Sequence, residues 1–207
     1  MAEAERAEEL LSRMRDVRSE SAKSFEARYR SGFIKKYCGG ELVLDIGCGI
    51  RKLLPNAFGI ESDAHNEHYL ENYNGIILPF ESNSVDTVYT SHVFEHLQKY
   101  ALNLMEWYRV VKVGGYIIII VPHKFLYERK ARPPSKWNND HYRFYTPASL
   151  LATVEEVLAP NCYRVRHLCD NDRDYDYNET IDKHPVGCYE IELVLQKIAR
   201  PRWAWEA

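Results

Sequence analysis

The short apolar run Val43-Leu44-Asp45-Ile46 leads directly into Gly47-Cys48-Gly49, and this junction constrains the fold more than any other stretch. Leucine and β-branched residues in so short a run read as a strand buried on both faces, the kind found in parallel sheets. The two glycines let the backbone turn sharply and pass close to a bound molecule, because neither carries a Cβ. Asp45, just before the turn, adds a carboxylate that accepts hydrogen bonds from a cationic ligand group or an amide. Open α/β sheets bind ligands at the carboxyl ends of their strands. Asp45, Gly47, Cys48 and Gly49 therefore read as one wall of a nucleoside-type cofactor site.

The rest of the pattern extends that sheet. A second strand is expected around Ala57–Glu61, only a few residues after the first. The intervening Ile50-Arg51-Lys52-Leu53-Leu54-Pro55-Asn56 is too short for a crossover helix, and Pro55 would stop one, so the first crossover shrinks to a turn. Val85–Thr90 reads as a strand. A helix follows over Tyr100–Val111, with Leu104, Tyr108 and Val111 on one face, stopped by Gly114-Gly115. Tyr116–Val121, with its four consecutive isoleucines, is the central buried strand. Thr146-Pro147 starts a helix that runs to about Leu158 before Pro160. Tyr163–Leu168 and Tyr189–Ile198 read as a final antiparallel pair. Residues 3–36 look helical, with Leu10, Met14, Val17, Phe25 and Tyr29 on an apolar stripe. This helix either lies against the domain or folds over the cofactor as a lid, with Tyr29 and Arg30 facing the site. The expected division is a helical extension over 1–37, an α/β domain over 38–198 and a short tail over 199–207.

Composition narrows the function classes. A net charge of −3 over 207 residues gives no general pull toward nucleic acid. No apolar run approaches the ~20 residues needed to span a bilayer. The acidic start Met1-Ala2-Glu3-Ala4-Glu5 lacks the basic-then-apolar pattern of a secretory signal. Five cysteines without Cys-x-x-Cys spacing suit free thiols in a reducing, cytoplasmic setting. Neither a His-Glu-x-x-His stretch nor a cysteine cluster calls for a metal. Asp170-Asn171-Asp172-Arg173-Asp174 is a poor calcium loop, with Tyr175 in place of the turn glycine and Ile181 in place of the closing glutamate.

Several motifs occur in a telling order: Asp45-Ile46-Gly47-Cys48-Gly49, Gly59-Ile60-Glu61, Leu78-Pro79-Phe80, Val85-Asp86, Ser91-His92-Val93-Phe94-Glu95-His96 and Arg109-Val110-Val111-Lys112-Val113-Gly114-Gly115-Tyr116. The series, over residues 42–122, resembles class I S-adenosylmethionine-dependent methyltransferases. The resemblance implies a doubly wound, Rossmann-like α/β fold with a seven-stranded, mostly parallel sheet whose last strand is antiparallel. It implies S-adenosylmethionine as cofactor and methyl transfer as the reaction. On it, Glu61 is the acid that accepts the ribose hydroxyls, with Asp63 as competitor. Asn74 meets the adenine edge, and Ser91 and His92 lie where the methionine part of the cofactor meets the acceptor. Arg51, where a third glycine is common, departs from the family, as does the shortened crossover.

Pro122–Thr146 is long enough to be a functional loop. Its basic and aromatic residues read as a binding surface for a small-molecule or sugar substrate, with an anionic acceptor suited to the positive charge; His123, Tyr127 and Arg143 are the candidate contacts. Asp140-His141-Tyr142-Arg143-Phe144-Tyr145-Thr146-Pro147 resembles a His-x-Arg-Phe-x-Thr segment of small-molecule and glycan methyltransferases. That implies a sugar or small-molecule acceptor, with a place in surface-polysaccharide synthesis. His141 is the preferred general base and His92 the second candidate, since histidine titrates near neutrality; His141 and Arg143 equally suit pinning the loop to the helix. The rival from another class is a non-catalytic methyltransferase-fold binding or assembly protein. A dinucleotide oxidoreductase is excluded because the third glycine of its fingerprint is missing. The oligomeric state is open.

Overall fold

The computed structural model describes residue 12 and residues 20–49, 52, 54, 56–61, 69–70 and 76–203. Its centre is a seven-stranded sheet of β1 (Val43–Ile46), β2 (Phe58–Ile60), β3 (Tyr69–Leu70), β4 (Val85–Ser91), β5 (Val111–Pro122), β6 (Tyr163–Asn171) and β7 (Glu190–Lys197), in the order β3-β2-β1-β4-β5-β7-β6. All neighbours from β3 to β5 are parallel. β7 runs antiparallel between β5 and β6. The order reverses direction between β1 and β4, the switch point at which such sheets bind ligands.

Residues on β5 show why the chain makes two layers. Ile117, Ile119 and Val121 point to one face, with Leu104, Trp107 and Val110 of α3 (Tyr100–Val110) and Leu150 and Val154 of α4 (Pro147–Val157) in the same apolar cluster. Ile118 and Ile120 point to the other, toward Phe25 of α1 (Glu20–Arg30) and Phe33, Ile34 and Tyr37 of α2 (Phe33–Tyr37). A strand with period two and helices on both sides must be apolar at every position, which the isoleucine run supplies.

Several local expectations hold and others shift. Thr146 caps α4 with a reciprocal box: its Oγ1 accepts the Ser149 N–H (3.2 Å) and Ser149 Oγ accepts the Thr146 N–H (2.9 Å), with Pro147 in the first turn. Between β1 and β2 the described residues form turns and no helix. The N-terminal segment is not one helix over 3–36: Gly32, at φ 80°, separates α1 from α2. Both are part of the core, with Phe25 fully buried, while Arg30 is exposed and paired with Glu26 at 2.8 Å. Leu10, Met14 and Val17 lie outside the described residues. α3 stops at Val110, ahead of the glycine pair, and β5 starts at Val111. Gly114-Gly115 instead sits in a bulge of β5, where a Cβ on Gly115 would stand 2.5 Å from the Asp86 carbonyl oxygen. No helix among the described residues is long and apolar enough to cross a membrane.

Candidate active site

The glycine turn after β1 is built for close approach. Gly47 and Gly49 have φ of 72° and 57°, the left-handed region that costs other residues. The Gly47 N–H donates to the Ile60 carbonyl (2.8 Å), tying the turn to β2. A Cβ on Gly47 would meet Val93 Cγ2 at 2.1 Å, so the turn is packed directly against the loop after β4. The Gly49 N–H donates to Glu61 Oε2 (2.8 Å), which sets the acid at the end of β2 over the turn. Asp45 is buried beneath them. Burial, with the charges of Asp45 and Glu61, pushes the Cys48 thiol up to about 12, so Cys48 is a neutral wall rather than a nucleophile. Ser91, at the carboxyl end of β4, has a buried Oγ with no hydrogen-bond partner, which a polar ligand group would satisfy. Asp45, Gly47, Cys48, Gly49 and Glu61 thus come together, with Ser91 on the neighbouring strand, and this set fits a cofactor with hydroxyl and amine groups. Asp63, Asn74 and Arg51 lie outside the described residues.

Beyond the turn, His92 (φ 56°) places its Nε2 3.0 Å from Glu190 Oε1 at the start of β7. Arg28, reaching across from α1, donates to Glu190 (2.9 Å) and Glu192 (3.0 Å), all of them buried. Asn171 Nδ2 donates to both carboxylates at 3.2 Å. Burial alone would raise the Glu190 pKa; Arg28 and His92 outweigh it and hold it at about 2. Glu190 is therefore ionised and accepts from His92 Nε2–H, while His92 Nδ1 faces Glu95.

A second cluster lies one step along the chain. The 3₁₀ turn Phe94–His96 is anchored by Phe94, fully buried against Tyr100, Trp107 and Tyr145. The Tyr142 N–H donates to the Glu95 carbonyl (2.9 Å), and Arg143 Nη1 donates to the Leu97 carbonyl (2.9 Å). These bonds bring His141 against the turn. Its Nδ1 is hydrogen-bonded to Glu128, and its Nε2 stands 3.9 Å from Glu95 Oε1. His96 Nε2 and His92 Nδ1 each stand 3.8 Å from the same oxygen. Glu95, Glu128 and His141 are buried, at 1–3% exposure. The sequence reading passed over Glu95 and Glu128 as partners, as it did Arg28 and Glu190.

The remaining loop residues are occupied within the chain. His123 Nδ1 accepts the N–H groups of Phe125 (3.2 Å) and Leu126 (3.3 Å), capping a π-helical turn over Lys124–Glu128, and burial lowers its pKa. Tyr127 is buried among the rings of His141, His184 and Tyr189. The Arg143 guanidinium lies 4.1 Å over the Tyr100 ring. Arg129 donates to the Thr180 carbonyl (2.7 Å) and to Tyr175 Oη (2.7 Å), and Lys136 pairs with Asp182 (2.9 Å). Together they lace residues 122–146 to residues 172–187.

Residues 60–119 match the model of a family described as a methyltransferase domain. The match spans 60 of the chain's 207 residues, from the end of β2 into β5. No curated protein matches it by sequence. Among solved structures, a SAM-dependent methyltransferase from Aquifex aeolicus is similar over 89% of this chain and 97% of its own, with TM-score 0.55 and 16% identity. Geranyl diphosphate C-methyltransferase from Streptomyces coelicolor A3(2), solved with Mg2+, geranyl diphosphate and S-adenosyl-L-homocysteine, is similar over 86% and 84%, with TM-score 0.58 and 14% identity. The [4+2]-cyclase SpnF is similar over 83% and 81%, with TM-score 0.57 and 14% identity. At such identities the likeness carries the fold, and a cyclase among the neighbours shows that the fold alone does not set the reaction. The fold and the partial family match are thus similar to those of S-adenosylmethionine-dependent methyltransferases.

Proposed function

We propose that this methyltransferase moves the methyl group of S-adenosylmethionine to a hydroxyl oxygen of a small molecule or sugar, in the cytoplasm, with surface-polysaccharide synthesis as the setting. The carrying observation is His92: it follows the strand that ends beside the cofactor turn, and Glu190 orients it at 3.0 Å. The bound cofactor supplies a sulfonium-activated methyl group. The chain's task is alignment, and positioning of this kind contributes roughly 7–11 kcal/mol of barrier reduction. Gly47 and Gly49 admit the cofactor, Glu61 binds its ribose in exchange for the Gly49 amide, and Ser91 takes a polar group at the methionine end. His92 receives the acceptor's proton on Nδ1 while Glu190 holds Nε2–H, the arrangement of a base oriented by a carboxylate. Both nitrogens of His141 are directed at carboxylates, Glu128 and Glu95, within the protein. His92 likewise lies between Glu190 and Glu95, but its side chain is 13% exposed against 3% for His141, which favours His92 as the base and gives His141 a positioning role.

The laced segments 122–146 and 172–187 support a small acceptor. Arg129, Lys136 and Arg143 are spent on the chain's own carbonyls and rings, which leaves little of the loop's positive charge for an anionic acceptor or an RNA backbone. The resemblance of Asp140–Pro147 to glycan methyltransferases supports the sugar reading. Calorimetric titration with S-adenosylhomocysteine, with NAD as control, tests the cofactor site: micromolar binding of the first alone is expected, weakened about tenfold by Glu61→Gln. Radiolabelled methyl transfer to nucleotide-sugar and glycan precursors then tests the acceptor. Binding of neither ligand would give the non-catalytic assembly reading precedence.

A further inference from the structure

We infer that Glu95, His96 and His141 form a binding site for a divalent first-row transition cation, with zinc as the reference ion. The inference stands on side-chain geometry and holds whatever the methyl acceptor proves to be. His96 Nε2 and His141 Nε2 lie 3.8 and 3.9 Å from Glu95 Oε1, and the three donor atoms fall within 4.8 Å of one another. Donors bound at about 2.1 Å around a tetrahedral ion stand about 3.4 Å apart. A contraction of about half an ångström, within side-chain reach, brings the first two distances to that value.

The protonation pattern points the same way. His96 Nδ1 faces the Asp140 carbonyl at 3.1 Å; a carbonyl only accepts, so Nδ1 carries the hydrogen and Nε2 of the neutral ring presents a lone pair. His141 Nδ1 is held by the Glu128 carboxylate, which leaves its Nε2 in the same state. Both imidazoles thus aim lone pairs at one carboxylate while their far nitrogens are fixed by the Asp140 carbonyl and the Glu128 carboxylate, the way hydrogen bonds to the far nitrogen orient metal-ligating histidines. Glu95 supplies the independent sign. It is 1% exposed, and neither carboxylate oxygen has a hydrogen-bond partner. Among the described residues no lysine or arginine nitrogen lies within 4 Å of Glu95 or Glu128. The basic nitrogens within 4 Å of Glu95 among the described side chains belong to the imidazoles of His92, His96 and His141, and a metal ion would supply the fixed positive charge that this buried carboxylate lacks.

The donor set selects the ion. Two imidazoles and one carboxylate suit zinc and its neighbours, whereas calcium and magnesium demand more oxygen ligands. Three protein donors leave a coordination position for water or an oxygen-bearing ligand. His96, with its side chain 29% exposed, marks the open side.

The test uses the whole chain, stripped with a chelator and titrated with Co2+ under a visible absorption readout, followed by Zn2+ displacement. Stoichiometric Co2+ bands that Zn2+ abolishes are expected. Glu95→Gln and His141→Gln should lose them, as should His96→Gln at the half-exposed edge, where folding is least at risk. Glu128→Gln should weaken uptake roughly 10–100-fold with far-UV circular dichroism unchanged. Absence of uptake overturns the inference, as does uptake that all four folded variants retain.

Discussion

The contact between Gly47 and Val93 can be weighed against a control inside the same turn. Gly47 and Gly49 both sit at positive φ, 72° and 57°. Only the first is crowded: its added Cβ would meet Val93 Cγ2 at 2.1 Å, while nothing lies within 4 Å of the second. Gly49→Ala should therefore cost only the left-handed conformation, roughly 1–2 kcal/mol. Gly47→Ala incurs that plus overpacking, typically about 1–3 kcal/mol, for a total of roughly 2–5. Urea denaturation of the two variants measures the difference, and S-adenosylhomocysteine calorimetry reads its effect on the site. Every 1.4 kcal/mol of displacement passed to the bound state is about a tenfold loss of affinity. Val93→Ala removes the two methyl carbons that the new Cβ approaches, so the double variant should recover the steric share as a coupling of about 1–3 kcal/mol. Equal costs for the two alanines, or no coupling to Val93, would refute the claim that the cofactor turn is seated on the loop after β4.

Arg28→Met should cost about 3–5 kcal/mol, because it strands Glu190 and Glu192 as adjacent buried carboxylates. At about 2–4 °C per kcal/mol for a domain of this size, the melting temperature should fall by roughly 6–20 °C; a loss below about 1 kcal/mol would show that the ion pairs contribute little. Acid should expose the same network. The Glu190 pKa is held at about 2 against an ordinary 4.5, so its stabilisation, about 3 kcal/mol, is fully present above pH 4.5 and lost as pH falls through 2. Urea unfolding between those limits should show that loss in the native chain and a smaller one in Arg28→Met; parallel curves would contradict it.

The sheet was legible because its information is local. The isoleucine run in β5 and the glycine turn after β1 each declare themselves within a few residues, and Thr146-Pro147 declares the start of α4. Where reading failed, the deciding contact was remote. Gly114-Gly115 resembles a helix stop, yet the Asp86 carbonyl, a neighbour only through the sheet, requires the missing Cβ. Arg143 reads as a free cation until the Leu97 carbonyl and the Tyr100 ring are set beside it. Arg28 sits on a helix facing carboxylates 162 and 164 residues away, a distance across which no periodicity speaks.

The loop after β4 shows the same division within five residues. His92-Val93-Phe94-Glu95-His96 has the spacing His-x-x-Glu-His, the inverse of the metal pattern sought in the sequence. Spacing alone leaves each side chain's partner undetermined, and the fold assigns them separately. Val93 faces the cofactor turn, Phe94 fills the core, and His92 turns back to Glu190. Glu95 and His96 meet His141, 46 and 45 residues on, only because the Tyr142 amide binds the Glu95 carbonyl. Since Val93 is packed directly on Gly47 and Phe94 is fully buried in the core, a shift of the turn is passed to the histidines on either side. A displacement at Gly47 should therefore register at Glu95 as well as in the cofactor turn, and the Co2+ bands of Gly47→Ala, compared with those of Gly49→Ala, would report whether it does.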